Sequence, residues 1–110
     1  GSGETGEVPV PPDKQHVVLG RDVGKADVIF AFEEVSKSHL ELVFNPNGTV
    51  QLVDFDSTNK TWVLYPAQES QPREETPPVE PRTLVDVNPG QAIWLGKDVR
   101  IEIRTVGEGG

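Results

Sequence analysis

The chain contains no cysteine, which excludes a disulfide framework, a thiol nucleophile and a cysteine-ligated zinc site. That absence fits a reducing intracellular compartment, nucleus or cytoplasm. Long hydrophobic runs are missing as well. No apolar stretch approaches the roughly 20 residues a membrane-spanning helix needs, so no membrane partner is expected. The first sixteen residues are dominated by Gly, Pro and charge and lack the apolar centre of a signal peptide. Gly1-Ser2 has the form left by a cleaved expression tag. Basic residues are scarce, ten Lys and Arg against eighteen Asp and Glu. Nucleic-acid modules draw affinity from counterions displaced by a basic face, so this balance argues against a nucleic-acid partner. A few basic residues in particular loops can still hold a single anion.

At 110 residues the chain has room for one domain with one modest core. Residues 1–15 lack periodicity and read as a disordered lead-in; residues 105–110 read as a flexible tail. Between them the pattern is one of short strands. His16-Val17-Val18-Leu19 is a β-branched run closed by Gly20, and Asp27 to Phe30 is another. His39 to Phe44 alternates, with Leu40, Leu42 and Phe44 on one face and Glu41 on the other. Asn45-Pro46-Asn47-Gly48 is a hairpin signal, and Thr49 to Phe55 returns as the partner strand. Thr61–Leu64, Thr83–Val87 and Gln91–Leu95 read as further strands. Asp98 to Arg104 alternates Val99, Ile101 and Ile103 inward with Arg100, Glu102 and Arg104 outward. No window has the 3.6-residue period of a helix. The chain is all-β, a sandwich or barrel. Residues 65–82 hold five prolines and four glutamates and read as a long, solvated, largely extended loop inserted in the domain, because proline removes ladder donors. Within it Glu75-Thr76-Pro77-Pro78 has the form of a proline-directed kinase site.

Three loop segments carry chemistry: Gly20-Arg21, Val35-Ser36-Lys37-Ser38-His39, and Asp54 to Thr61. A phosphate dianion calls for a guanidinium, whose planar fork donates two parallel charge-assisted hydrogen bonds. Arg21 supplies one, Ser36 a short hydroxyl donor, and Lys37 a second positive charge. Asn59 offers donor and acceptor together, as needed to clamp an extended peptide backbone.

The order and spacing of these segments resemble the forkhead-associated (FHA) domain. Gly20-Arg21 is followed fifteen residues after the arginine by Ser36-x-x-His39, and fifteen after the histidine by Asp54-x-x-Ser57-x-Asn59-x-Thr61. Asn88 to Gly96 is similar to the family's closing turn and strand. The resemblance covers residues 16–104 and implies a two-sheet β-sandwich of about ten or eleven strands, a monomer without cofactor or catalytic activity. It implies a phosphothreonine-containing protein or peptide as partner. Arg21, Ser36 and Lys37 would then form the phosphate pocket, Thr58 would contribute beside it, and Asn59 would clamp the peptide. Gly20, His39, Asp54, Ser57 and Thr61 would be structural. Two features depart from the family pattern. Lys60 stands where the family usually has glycine, so either the backbone accepts strain there or the turn differs. Leu64-Tyr65 replaces an Asn-Gly pair.

Other readings are weaker. Ser36, His39 and Asp54 or Asp56 could be assembled into a hydrolytic triad, but no nucleophile-elbow glycines accompany them. Asp54-x-Asp56 begins like a calcium loop, yet Asn59 occupies the glycine position and Tyr65 that of the bidentate glutamate. The serious alternative is a β-sandwich that binds proteins independently of phosphate, which the acidic pair Glu33-Glu34 leaves open.

Overall fold

A computed structural model describes residues 15–72, 75–97 and 99–103. The expected lead-in up to residue 14, the tail, Asp98 at the start of the last strand as read, and the outward position Arg104 lie outside the described residues. Among those described, eight strands form: β1 (His16–Gly20), β2 (Val28–Ile29), β3 (Leu40–Phe44), β4 (Val50–Asp54), β5 (Thr61–Leu64), β6 (Leu84–Val87), β7 (Ala92–Leu95) and β8 (Val99–Glu102). The fold is the expected all-β sandwich, with fewer strands among the described residues than the ten or eleven anticipated.

One sheet has the order β2-β1-β3-β4-β6 and the other β5-β7-β8. The alternation read from sequence decides which side chains meet between them. Val17, Leu19, Leu40, Leu42, Leu52 and Val87 from the larger sheet pack against Ile93, Leu95 and Val99 from the smaller. Val35, from the connection between β2 and β3, completes the cluster. Each such side chain contributes roughly 1.5–3 kcal/mol by leaving water. The β3–β4 hairpin turns where expected, with Gly48 at φ +91° and Asn45 N–H donating to the Thr49 carbonyl at 2.9 Å.

The described part of the proline-rich stretch is largely exposed, as read, but it is not extended throughout. Pro66–Glu69 forms one helical turn, α1, with proline at its first position, where a missing N–H costs nothing. The Gln68 side chain accepts from the Tyr65 N–H at 2.9 Å and closes that turn. Beyond it the chain is tied to the sandwich. Trp62 and Trp94 are cross-strand partners in the smaller sheet, and Trp94 pairs in turn with Arg100. Trp62 Nε1 donates to the Thr76 carbonyl at 2.7 Å, and Trp94 Nε1 donates to Glu69 Oε2 at 2.7 Å. Arg100 Nε reaches the same carboxylate at 2.6 Å. Val79 N–H donates to the Thr61 carbonyl and Arg82 N–H to the Asp54 carbonyl, both at 2.8 Å. The stretch is a strap over the outer tryptophans. Thr76, the candidate kinase site, belongs to the strap and is buried at 6% exposure.

Register also gathers the chemistry-bearing loops. Leu19 pairs with Leu40 and Leu40 with Asp54, so the end of β1, the start of β3 and the end of β4 lie side by side. The loops at 21–27, 30–39 and 55–60 therefore emerge at one end of the sandwich.

Candidate functional site

At that end the chain forms an open depression of about 470 Å3, lined in part by Arg21, Ser36, Lys37, Thr58 and Asn59. All five residues singled out for phosphopeptide contact are thus brought together. Arg21 enters by backbone pairing: its N–H donates to the Ser36 carbonyl at 3.0 Å, and Asp22 N–H to that of Lys37 at 3.3 Å. Such an approach requires Gly20. A Cβ there would stand 2.0 Å from the Lys37 carbonyl oxygen. The glycine is needed for the crossing of another loop.

Ser36 Oγ accepts from the Thr58 N–H at 3.1 Å, which leaves its own hydroxyl proton free to donate. Asn59 Nδ2 donates to the Glu34 carbonyl at 2.9 Å. Its second N–H and its Oδ1 remain for a ligand, because an amide carries two donors and an acceptor.

The structural residues lie beneath. His39 is fully buried. Its Nδ1 accepts from the Ser36 N–H at 3.1 Å, and its Nε2 lies 3.0 Å from the Lys60 carbonyl oxygen. Only the neutral ring protonated at Nε2 serves both contacts. Burial lowers the His39 pKa, against the raising effects of the Lys60 carbonyl and of Asp54 and Glu34. With both nitrogens committed to backbone, His39 has none to take a proton from the Ser36 hydroxyl, so the paper triad is not assembled. Asp54, also buried, accepts from Ser57 N–H at 3.0 Å, from Ser57 Oγ, and from Thr61 Oγ1 at 2.7 Å. One carboxylate thus holds both ends of the loop that carries Thr58 and Asn59. Lys60 has φ +73°, so the backbone keeps the left-handed turn and accepts the strain. Its carbonyl receives Gly96 N–H at 2.9 Å as well as His39.

Lys25, Glu33, Val35 and Ser38 also line the depression. Of these, Lys25 escaped the sequence reading, and Glu33 entered it only as half of the acidic pair that leaves a phosphate-independent module open. Asp22 Oδ1 accepts from Gly24 N–H at 2.8 Å, and its carbonyl accepts from Lys25 and Ala26, folding Lys25 back beside Arg21. The Asp-x-Gly turn pattern was the available signal. Among the described residues, Arg21, Lys25, Lys37 and Glu33 enter no ion pair.

A two-sheet β-sandwich that assembles cationic and amide side chains from three loops at one end has the form of a peptide-binding interaction module. The chain belongs to the FHA domain family, whose model matches residues 17–96. FHA domains are protein-interaction modules. Solved structures agree on the fold. An FHA domain studied for phosphothreonine-dependent interactions aligns with TM-score 0.62 and 24% identity, over 96% of this chain and 91% of that one. The FHA domain of the CT664 protein from Chlamydia trachomatis aligns with TM-score 0.61 and 17% identity, over 82% and 79%. The N-terminal FHA domain of S. cerevisiae Rad53p, solved with a phosphothreonine peptide, aligns with TM-score 0.57 and 22% identity, over 77% and 59%. No curated protein matched the chain. Among the described residues no helix is long and apolar enough to cross a membrane.

Proposed function

We propose that this FHA domain reads phosphothreonine in partner proteins and catalyses no reaction. Arg21, Ser36 and Lys37 hold the phosphate, with Thr58 beside it, and Asn59 clamps the peptide backbone. The observation that carries the reading is the convergence of these five side chains on one open depression, with Arg21 and Lys37 outside any ion pair among the described residues. Cations held ready without internal partners suit a ligand that brings its own negative charge, about −1.5 to −2 for a phosphorylated side chain at neutral pH. The Rad53p domain was solved with such a peptide, which supports the same class of ligand here. The domain acts as a monomer inside the cell, without nucleic acid or membrane as partner.

Fluorescence polarisation of a degenerate phosphothreonine peptide library, with the dephosphorylated library as control, tests this. Only the phosphorylated library is expected to bind. Arg21→Ala should weaken it by at least about 30-fold, since losing a charge-assisted contact costs on the order of 2–5 kcal/mol. Equal binding to both libraries would instead support a phosphate-independent module. Phosphoserine replacement in the best ligand then measures what the threonine methyl contributes.

A further inference from the structure

Phosphate binding by itself makes no use of Glu33. Its side chain is exposed in the wall of the depression with Arg21, Lys25 and Lys37, and it pairs with none of them. A carboxylate left unpaired near a bound dianion repels it, and the repulsion is relieved when the ligand itself brings a cation. The location of Glu33 favours that solution. The next residue, Glu34, accepts at its carbonyl oxygen from Asn59 Nδ2 at 2.9 Å, and Glu33 and Asn59, the side chain assigned to the peptide backbone, line the same depression.

We infer that Glu33 is a specificity determinant that selects Arg or Lys beside the phosphothreonine, making a basic phosphopeptide the ligand class of this domain. The inference rests on the phosphothreonine reading above. An extended peptide advances about 3.3 Å per residue, so a depression of about 470 Å3 takes the phosphothreonine and parts of its nearest neighbours. The preferred cation therefore lies within about two residues of the phosphate. The formal net charge of −8 also draws basic peptides, but that attraction is screened beyond a Debye length of about 8 Å. A substitution at Glu33 separates the local effect from the global one.

The test uses phosphothreonine peptides that are identical except for Arg, Ala or Glu at one flanking position. Arg is expected to bind about two- to fivefold more tightly than Ala at one or more positions, the range of a partly screened ion pair. Glu33→Gln should bring that ratio close to one, and Glu33→Lys should invert it in favour of the Glu peptide. Arg21→Ala should weaken every member of the series. A wild-type ratio near one, or a ratio that Glu33→Gln leaves intact, overturns the inference while the phosphothreonine reading stands. If no phosphothreonine peptide binds the wild-type protein, the underlying reading falls and this one with it.

Discussion

The buried imidazole of His39 donates from Nε2 to the carbonyl oxygen of Lys60 at 3.0 Å, so a side chain from the loop before β3 supports the left-handed residue before β5. Its other nitrogen accepts from the Ser36 N–H at 3.1 Å. One neutral ring thus joins two of the three loops that line the depression. Protonating Nδ1 would set a proton against the Ser36 N–H and break that joint.

Stability should accordingly depend on pH through His39. Its folded pKa lies below the ordinary value of 6.5, chiefly because burial disfavours the charged ring. Between that value and the folded pKa the unfolded chain binds more protons than the folded one. The contribution of His39 is therefore complete above pH 6.5 and is lost as pH falls through the window below it. Urea unfolding at about pH 7.5 and about pH 5.5 should give a lower stability at the acid value, and His39→Gln should narrow the difference. Identical pH dependence in the two proteins would contradict the assignment.

Gly20→Ala should disturb the site directly. The new methyl would stand 2.0 Å from the Lys37 carbonyl oxygen and 2.7 Å from its carbon, both backbone atoms that cannot rotate away. Displacing the 36–38 loop should cost about 1–3 kcal/mol, as overpacking usually does. Thermal unfolding measures the loss, and amide chemical shifts of Ser36 and Lys37 should move more than those of β7. A variant as stable as the wild type would show that the loop yields freely.

Lys60→Gly should raise stability. A non-glycine residue at φ +73° carries a left-handed penalty of roughly 1–2 kcal/mol, partly offset by the greater chain entropy glycine loses on folding. The net expected gain is about 1 kcal/mol, read as a higher urea midpoint with an unchanged slope. No gain would mean that Lys60 makes a compensating side-chain contribution.

Asp54→Ala should be among the costlier single substitutions in this end of the molecule. It leaves the Ser57 N–H and hydroxyl and the Thr61 hydroxyl without their acceptor in a buried setting. A loss of about 2–4 kcal/mol is expected from unsatisfied buried donors. Asp54→Asn should lose less, because the amide oxygen still accepts. Equal losses in the two variants would mean that the carboxylate is not acting as an acceptor.

Much of this molecule follows from local pattern. Alternation in Leu40, Leu42 and Phe44 and in Val99, Ile101 and Ile103 determines which face turns inward, because successive strand residues point to opposite sides. Turn chemistry at Asn45 to Gly48 determines a hairpin, because glycine reaches positive φ without penalty. The types and order of Arg21, Ser36, Lys37 and Asn59 specify candidate anion and amide contacts before any coordinates exist. What tertiary structure decided is who approaches whom. The approach of Lys37 to Gly20 and the presence of Glu33 in the same wall as Arg21 depend on the β1–β3–β4 register, which no local window contains. The strap shows the same limit. Five prolines in residues 65–82 exclude a central strand, but the partners that stretch closes on, the two outward tryptophans, Arg100 and the Thr61 and Asp54 carbonyls, are set by the sandwich. Composition acts over a few residues, whereas these contacts join positions far apart in the chain.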